Sequence, residues 1–147
     1  MTNKTALRIR SAKKDDARAL ASLAGELGYP TRSSEIEMRL ARIIPDRRYS
    51  VFVAENREPI GWIQVCLVQS LEGGAFAEIV GLVVSHDQRR SGLGTQLVEK
   101  AVEWAKKNDC LRIRVRTNVV RKEAHTFYTK LGFDFKKTQE VFDKSLE

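Results

Sequence analysis

The stretch from Phe76 to Leu97, FAEIVGLVVSHDQRRSGLGTQL, constrains the fold more than any other part of the chain. Between Phe76 and Val84 every residue except Glu78 and Gly81 is apolar, the pattern of a strand covered on both faces. Ser85 to Ser91 is polar, and from Leu93 the apolar residues Leu93, Leu97, Val98, Ala101, Trp104 and Ala105 fall at helical spacing. A strand therefore hands over, through a short basic turn, to the start of a helix. The first N–H groups of a helix lack internal partners and carry the positive end of its dipole, so they receive an anion such as a phosphate. Gly92 and Gly94 remove side chains where the backbone must come close. Arg89 and Arg90 add positive charge, Thr95 adds a hydroxyl, and Ser91 and Leu93 complete the cradle. The turn lacks the Lys-Ser/Thr ending of a P-loop and the three-glycine spacing of a dinucleotide fold.

The rest of the chain frames that element. Leu7 to Arg10 alternates apolar and basic residues as an opening strand. Asp15 and Asp16 sit favourably in the first turn of a helix with the stripe Ala17, Leu20, Ala24 and Leu27, and Gly28-Tyr29-Pro30 stops it. A second helix, capped by Ser33 or Ser34, carries Ile36, Leu40, Ile43 and Ile44 and ends at Pro45. Tyr49 to Glu55 and Ile60 to Val68 read as an antiparallel hairpin about the turn Asn56-Arg57-Glu58-Pro59, with Trp62 as a packing residue and Leu71 to Gly74 as a connecting loop. Asn108-Asp109 ends the long helix. In the strand that follows, Leu111 to Thr117, Ile113 and Val115 alternate with Arg112, Arg114 and Arg116. One face of it is core and the other strongly basic. That basic face is either solvated surface or a surface for an acidic acceptor or partner. A short helix from about Lys122 to Lys130, the Gly132 cap, and strands near Phe133 to Lys137 and Val141 to Ser145 complete a mixed α/β sheet in a single domain, residues 1–147.

Lys and Arg number 26 against 19 Asp and Glu, a net charge of +7. Such a charge suits either a nucleic-acid backbone or a cofactor with several phosphates. The aromatic residues are not interleaved with the basic ones, as a single-strand platform requires, so the cofactor reading is preferred and nucleic acid is not the expected partner. No apolar run reaches the length of a membrane helix and MTNKTALRIR has no apolar signal core, which makes the cytoplasm the expected compartment and a membrane no partner. Cys66 and Cys110 show no metal or redox spacing, and the two histidines are far apart; free thiols and no metal are expected.

Arg89-x-x-Gly92-x-Gly94, after a strand ending Leu82-Val83-Val84, resembles the acetyl-CoA pyrophosphate loop of the GNAT superfamily of N-acetyltransferases. Its downstream partner, Ala124-His125-Thr126-Phe127-Tyr128-Thr129-Lys130-Leu131-Gly132-Phe133, resembles the family's second motif, and the two occur in the family's order. The resemblance implies a mixed sheet splayed between its fourth and fifth strands, about four flanking helices, and acetyl-CoA in the opening. The backbones of Leu82, Val83 and Val84 would pair with the pantetheine arm. Glu78, about 20 Å back along the strand from Val84, is the implied general base, acting directly or through water; the other readings are a residue that only orders the acceptor, or a glutamate in a salt bridge or at the exposed end of the strand. Tyr128 is the implied acid or stabiliser of the leaving thiolate, and His125, one turn away, either tunes it or lies on the surface. The family often places an asparagine where this chain has Arg121; Asn118 takes over that contact, or Arg121 reaches a phosphate. The preferred acceptor is a small primary amine, with a protein lysine or N-terminus competing, and homodimers are frequent in the family. The alternative of another class is a non-catalytic acyl-CoA sensor or basic interaction module on the same fold.

Overall fold

The computed structural model describes residues 7–88 and 91–147. It divides into two compact units, Met1–Val115 and Arg116–Glu147. In the first unit, β1 (Arg8–Ser11), β2 (Tyr49–Asn56), β3 (Glu58–Ser70), β4 (Gly74–Val84) and β5 (Ile113–Val115) form one sheet in that spatial order. The first four are joined antiparallel. The β2–β3 turn is tighter than its sequence suggests: Asn56 pairs with Glu58, and Arg57 alone turns the chain at φ 71°. β5 runs parallel to β4 because α3 (Leu93–Lys107) lies between them in sequence and carries the chain back across the sheet.

Each face of the sheet is buried by different helices. On one face, Ala17, Leu20 and Leu23 of α1 (Ala17–Glu26) and Leu40 of α2 (Ser33–Ile43) close on Val51, Val53 and Val83, with Trp62 packed against them. On the other, α3 lies over β3: a Cβ on Gly61 would stand 3.2 Å from Leu97 Cδ1 and 3.3 Å from Leu93 Cδ2. Leu93, Leu97, Val98, Ala101 and Ala105, the stripe expected from the spacing, are buried there.

The ends of α1 and α3 show how local sequence stops a helix. Tyr29 N–H reaches back to the Ala24 carbonyl and Gly28 N–H to that of Gly25, with Gly28 left-handed at φ 86°. Cys110 and Asp109 repeat the pattern onto Ala105 and Lys106, with Asp109 left-handed at φ 61°. Both are six-to-one, five-to-two closures that satisfy the last carbonyls. The start of α2 differs from expectation: neither serine caps it. Arg32, extended at φ −71° and ψ 142°, holds the cap position without a side-chain bond, and Ser33 is already helical.

Asp16 is buried in a short 3₁₀ turn ahead of α1. Its two oxygens accept from Arg10 Nη1 and Nη2, both at 2.8 Å, and Oδ2 also accepts from Lys13 N–H at 2.7 Å. Arg10 Nε meets Glu55 at 3.0 Å. The Arg10 guanidinium, despite the cost of burial, holds the Asp16 carboxyl below the usual carboxylate range, with help from the Lys13 amide. This ion pair clamps β1 to the entry of α1.

In the second unit, α4 (Lys122–Lys130) ends in the same type of closure. Phe133 N–H bonds the Tyr128 carbonyl at 3.0 Å and Gly132 N–H that of Thr129 at 3.1 Å, with Gly132 at φ 90°. The apolar contact that accompanies such a stop is made by the rings of Tyr128 and Phe133, 5.3 Å apart. The strands expected near 133–137 and 141–145 do not form among the described residues. Phe135, Val141, Phe142 and Leu146 are exposed, and alternation makes a strand only where a neighbouring edge supplies its hydrogen bonds. β5 is likewise shorter than Leu111 to Thr117, limited to the three residues that face Ala77, Glu78 and Ile79.

Candidate active site

β4 carries the candidate base and the candidate cofactor edge, and one irregularity relates them. Gln64 pairs with Gly81, but Val65 pairs with Ile79, so Val80 is an extra residue without a partner on β3. A strand alternates faces with period two, and one inserted residue reverses the parity of everything beyond it. Val83 and Gly81 oppose Trp62 and Gln64 on the α1–α2 face; past the bulge Glu78 opposes Cys66 on that same face. Were Val80 paired in a regular ladder instead of bulged, Glu78 would lie with Leu82 on the side covered by α3. Measured along β3 from Gly61 to Cys66, Glu78 is five residues from Val84, about 17 Å. Gly81 was the sequence signal for the bulge, since a glycine inside a strand often marks one.

The bulge also coincides with the splay. The ladder between β4 and β5 covers Ala77 to Ile79, so from Val80 through Leu82, Val83 and Val84 that edge of β4 has no strand partner among the described residues. On the other edge, Ile63, Trp62 and Gly61 hold the three residues in register. Main-chain N–H and C=O groups on such an edge require partners, and an extended amide-bearing chain can provide them.

Beyond β4, the chain turns into α3. Ser91 bonds the Gln88 carbonyl through its hydroxyl, and Gly92, the residue before the helix, is left-handed at φ 84°. Gln96 N–H makes the first bond of the helix, to the Gly92 carbonyl at 3.1 Å. The amides of Leu93, Gly94 and Thr95 precede it and belong to the turn that lacks internal acceptors. The buried Leu93 side chain fixes the orientation of that turn. Arg89 and Arg90 lie outside the described residues.

Glu78 is half-buried. Burial, and after it the Glu78 charge, push the Cys66 thiol up, which keeps Cys66 protonated and unsuited to nucleophilic attack. Phe76, two residues before Glu78, is buried beneath the guanidinium groups of Arg112 and Arg114, 4.4 and 4.6 Å from its ring centroid. Neither cysteine is in a disulfide. Among the described residues no group of three or more His, Cys, Asp or Glu is placed to hold a metal ion, and no helix is long and apolar enough to cross a membrane. A cavity lined by Glu35, Met38, Arg39 and Arg42 on α2 contains none of the candidate residues.

In the second unit, Tyr128 is buried between Phe127 and Phe133, with ring centroids at 4.9 and 5.3 Å. Burial pushes its phenol up to about 12. Asn118 Oδ1 accepts from Val120 N–H at 3.1 Å, and its carbonyl accepts from Arg121 N–H at 3.0 Å. Arg121 stands at the cap of α4. His125 is exposed and bonded to the Asn118 carbonyl at 3.2 Å.

The sequence profile of the Acetyltransferase (GNAT) family matches residues 15–133. An uncharacterized N-acetyltransferase of Methanocaldococcus jannaschii is 36% identical over 88 residues, 58% of this chain and 39% of that protein. Streptothricin acetyltransferase A of Bacillus subtilis is 38% identical over 58 residues, 40% of this chain and 34% of that protein. The chain thus spans well under half the length of these two relatives. Among solved structures, a transcriptional regulator from Bacillus halodurans superposes with a TM-score of 0.81 at 28% identity, covering 93% of this chain and 100% of that one.

Proposed function

We propose that this chain, which belongs to the Acetyltransferase (GNAT) family, moves the acetyl group of acetyl-CoA directly onto a primary amine of a small molecule. The observation that carries the reading is the coincidence, on one strand, of an edge left open past Ile79, a carboxylate turned by the Val80 bulge, and a helix start opened by a left-handed Gly92. The described residues fit the cofactor: open-edge amides suit its pantetheine amides, and the first turn of α3 suits its pyrophosphate. Acetyl-CoA, when bound, supplies an acetyl group activated as a thioester. Leu82, Val83 and Val84 hold its arm through main-chain groups. Ser91, Gly92, Leu93, Gly94 and Thr95 hold the phosphates, with Arg89 and Arg90 adding charge and Asn118 and Arg121 assigned further polar contacts.

Glu78 takes the proton that the acceptor nitrogen sheds as it attacks. Tyr128 keeps its proton at Oη across the working range and offers it as a hydrogen bond to the departing sulfur. With its phenol at about 12 and a thiol near 8.5, net transfer from Oη is uphill, so stabilisation of the thiolate is its role. Cys66, its thiol pushed up by burial, is a poor nucleophile, which supports direct transfer.

Glu78→Gln and Tyr128→Phe test the assignment. Glu78→Gln is expected to lower kcat by about 10²- to 10⁴-fold and Tyr128→Phe by about 10²- to 10³-fold, while acetyl-CoA still raises the melting temperature. Full turnover in either variant rejects that residue's role. The 28% identical structure described as a transcriptional regulator favours a second reading, a non-catalytic acyl-CoA sensor, which would bind acetyl-CoA and have no turnover to lose.

A further inference from the structure

The basic side of β5 holds a constellation that the proposed transfer does not use. Arg114 pairs with Glu78 across the parallel ladder, so Arg112, Arg114, Phe76 and Glu78 share one face of the sheet. Both guanidinium groups sit on the Phe76 ring, which places them less than about 9 Å apart. Arg112 spends one N–H on the Gly73 carbonyl, at 3.0 Å, and is thereby fixed to the loop that opens β4. A Cβ on Gly73 would lie 2.8 Å from that Nη2, so the glycine makes room for the contact. Each guanidinium has five N–H donors, of which Arg112 Nη2 is bonded to the Gly73 carbonyl.

Ion pairing elsewhere makes the contrast. Arg8 and Arg10, the arginines of β1, both pair with Glu55, and Arg10 with Asp16 as well. Arg112 and Arg114 have no carboxylate within ion-pairing distance among the described residues, although Arg114 is half-buried. Two neighbouring cations that make no ion pair repel each other, and an oxyanion placed across both forks reduces that repulsion while gaining charge-assisted hydrogen bonds. Contact with the Phe76 ring restricts both guanidinium groups and lowers the ordering cost of binding.

We propose that Arg112 and Arg114 form an oxyanion subsite beside Glu78, so that the acceptor carries a carboxylate, phosphate or phosphonate group in addition to its amine. This rests on the acetyltransferase reading above. It adds the chemical class of the acceptor: the anionic group docks on the arginines, and the amine is left near the carboxylate that takes its proton.

Matched acceptors test it: an aminoalkane against the corresponding aminoalkylphosphonate and amino acid, and an amino sugar against its phosphate, with wild type, Arg112→Gln, Arg114→Gln and Arg114→Lys. Wild type is expected to prefer the anionic member of a pair. Arg114→Gln is expected to reduce that preference about 10- to 100-fold, mainly through KM, and Arg114→Lys to reduce it less. The phosphonate, phosphate and carboxylate arms identify which oxyanion fits. Indifference of the wild type to the anionic group, or a preference that survives both glutamine variants, overturns the subsite and leaves acetyl transfer intact. If no amine is acetylated, the reaction assigned above fails instead. Calorimetric titration of methylphosphonate into CoA-saturated protein then still decides the subsite: binding lost in Arg114→Gln supports it, and equal binding in both proteins overturns it. Arg114→Lys keeps the charge and serves where the glutamine variants do not fold.

Discussion

Replacing Asp16 by Asn tests the clamp between β1 and α1. The side chains of Asp16 and Arg10 are 9% and 15% exposed, and the carboxylate accepts three hydrogen bonds, two of them from the guanidinium. An asparagine keeps one acceptor oxygen but turns an NH₂ donor toward a donor. Removing one partner of a buried ion pair costs about 3–5 kcal/mol. Here Glu55 stays 3.0 Å from Arg10 and offsets part of that, so the expected loss is about 2–3 kcal/mol. For a chain of this length that lowers Tm by about 6–12 °C. The pH dependence follows from the direction of the shift. The folded state holds the Asp16 carboxyl below its ordinary range, so its contribution is complete above about pH 4, the unfolded value, and is lost as the pH falls through the lower folded value. Urea denaturation of both proteins between pH 7 and pH 2 measures this. The curves should converge as the pH drops below about 4. A loss under about 0.5 kcal/mol at pH 7, or parallel acid limbs, would refute the reasoning.

Other perturbations follow from single positions. Gly92→Ala meets no atom within 4 Å, so its cost is conformational, about 1–2 kcal/mol for a left-handed alanine. Gly92→Asn should cost less, and a urea series ranking Ala above Asn in stability would contradict the assignment. Gly81→Ala would set a Cβ 3.0 and 3.1 Å from Trp62 Cζ3 and Cη2, and should cost about 1–3 kcal/mol by overpacking, with a change in tryptophan emission; unchanged Tm and emission would mean the ring does not press on Gly81. Burial of Tyr128 stabilises the fold fully below about pH 10, and that contribution is lost as the pH rises toward about 12. Ultraviolet titration of phenolate should lose its highest-pH step in Tyr128→Phe; loss of an earlier step instead would show that the phenol is not buried.

What the sequence disclosed and what it withheld divide along physical lines. Helix stops were legible because Gly28, Asp109 and Gly132 act within a few residues of chain, and the stripe of α3 because 3.6-residue spacing is local too. The strand-to-helix junction at Gly92 was legible for the same reason. Asp16 was read as a first-turn acid, whereas its partners sit on β1, at Arg10, and in the turn at Lys13; no local pattern announces a clamp of that kind. The identity of Glu78 was readable, but its face was not, because parity counting along β4 fails at an inserted Val80. Strand signals near Phe133 and Val141 were alternation alone, and alternation does not say whether an edge is available. The three arginines of the basic strand were visible from the first, but the Phe76 ring that orders two of them comes from another strand.

The most direct test of the account is release of free thiol from acetyl-CoA by the purified protein across a panel of primary amines, with and without each acceptor. The account predicts release that requires both protein and a particular amine and that collapses in Glu78→Gln. No release with any amine, together with no rise in Tm on adding acetyl-CoA, would contradict it.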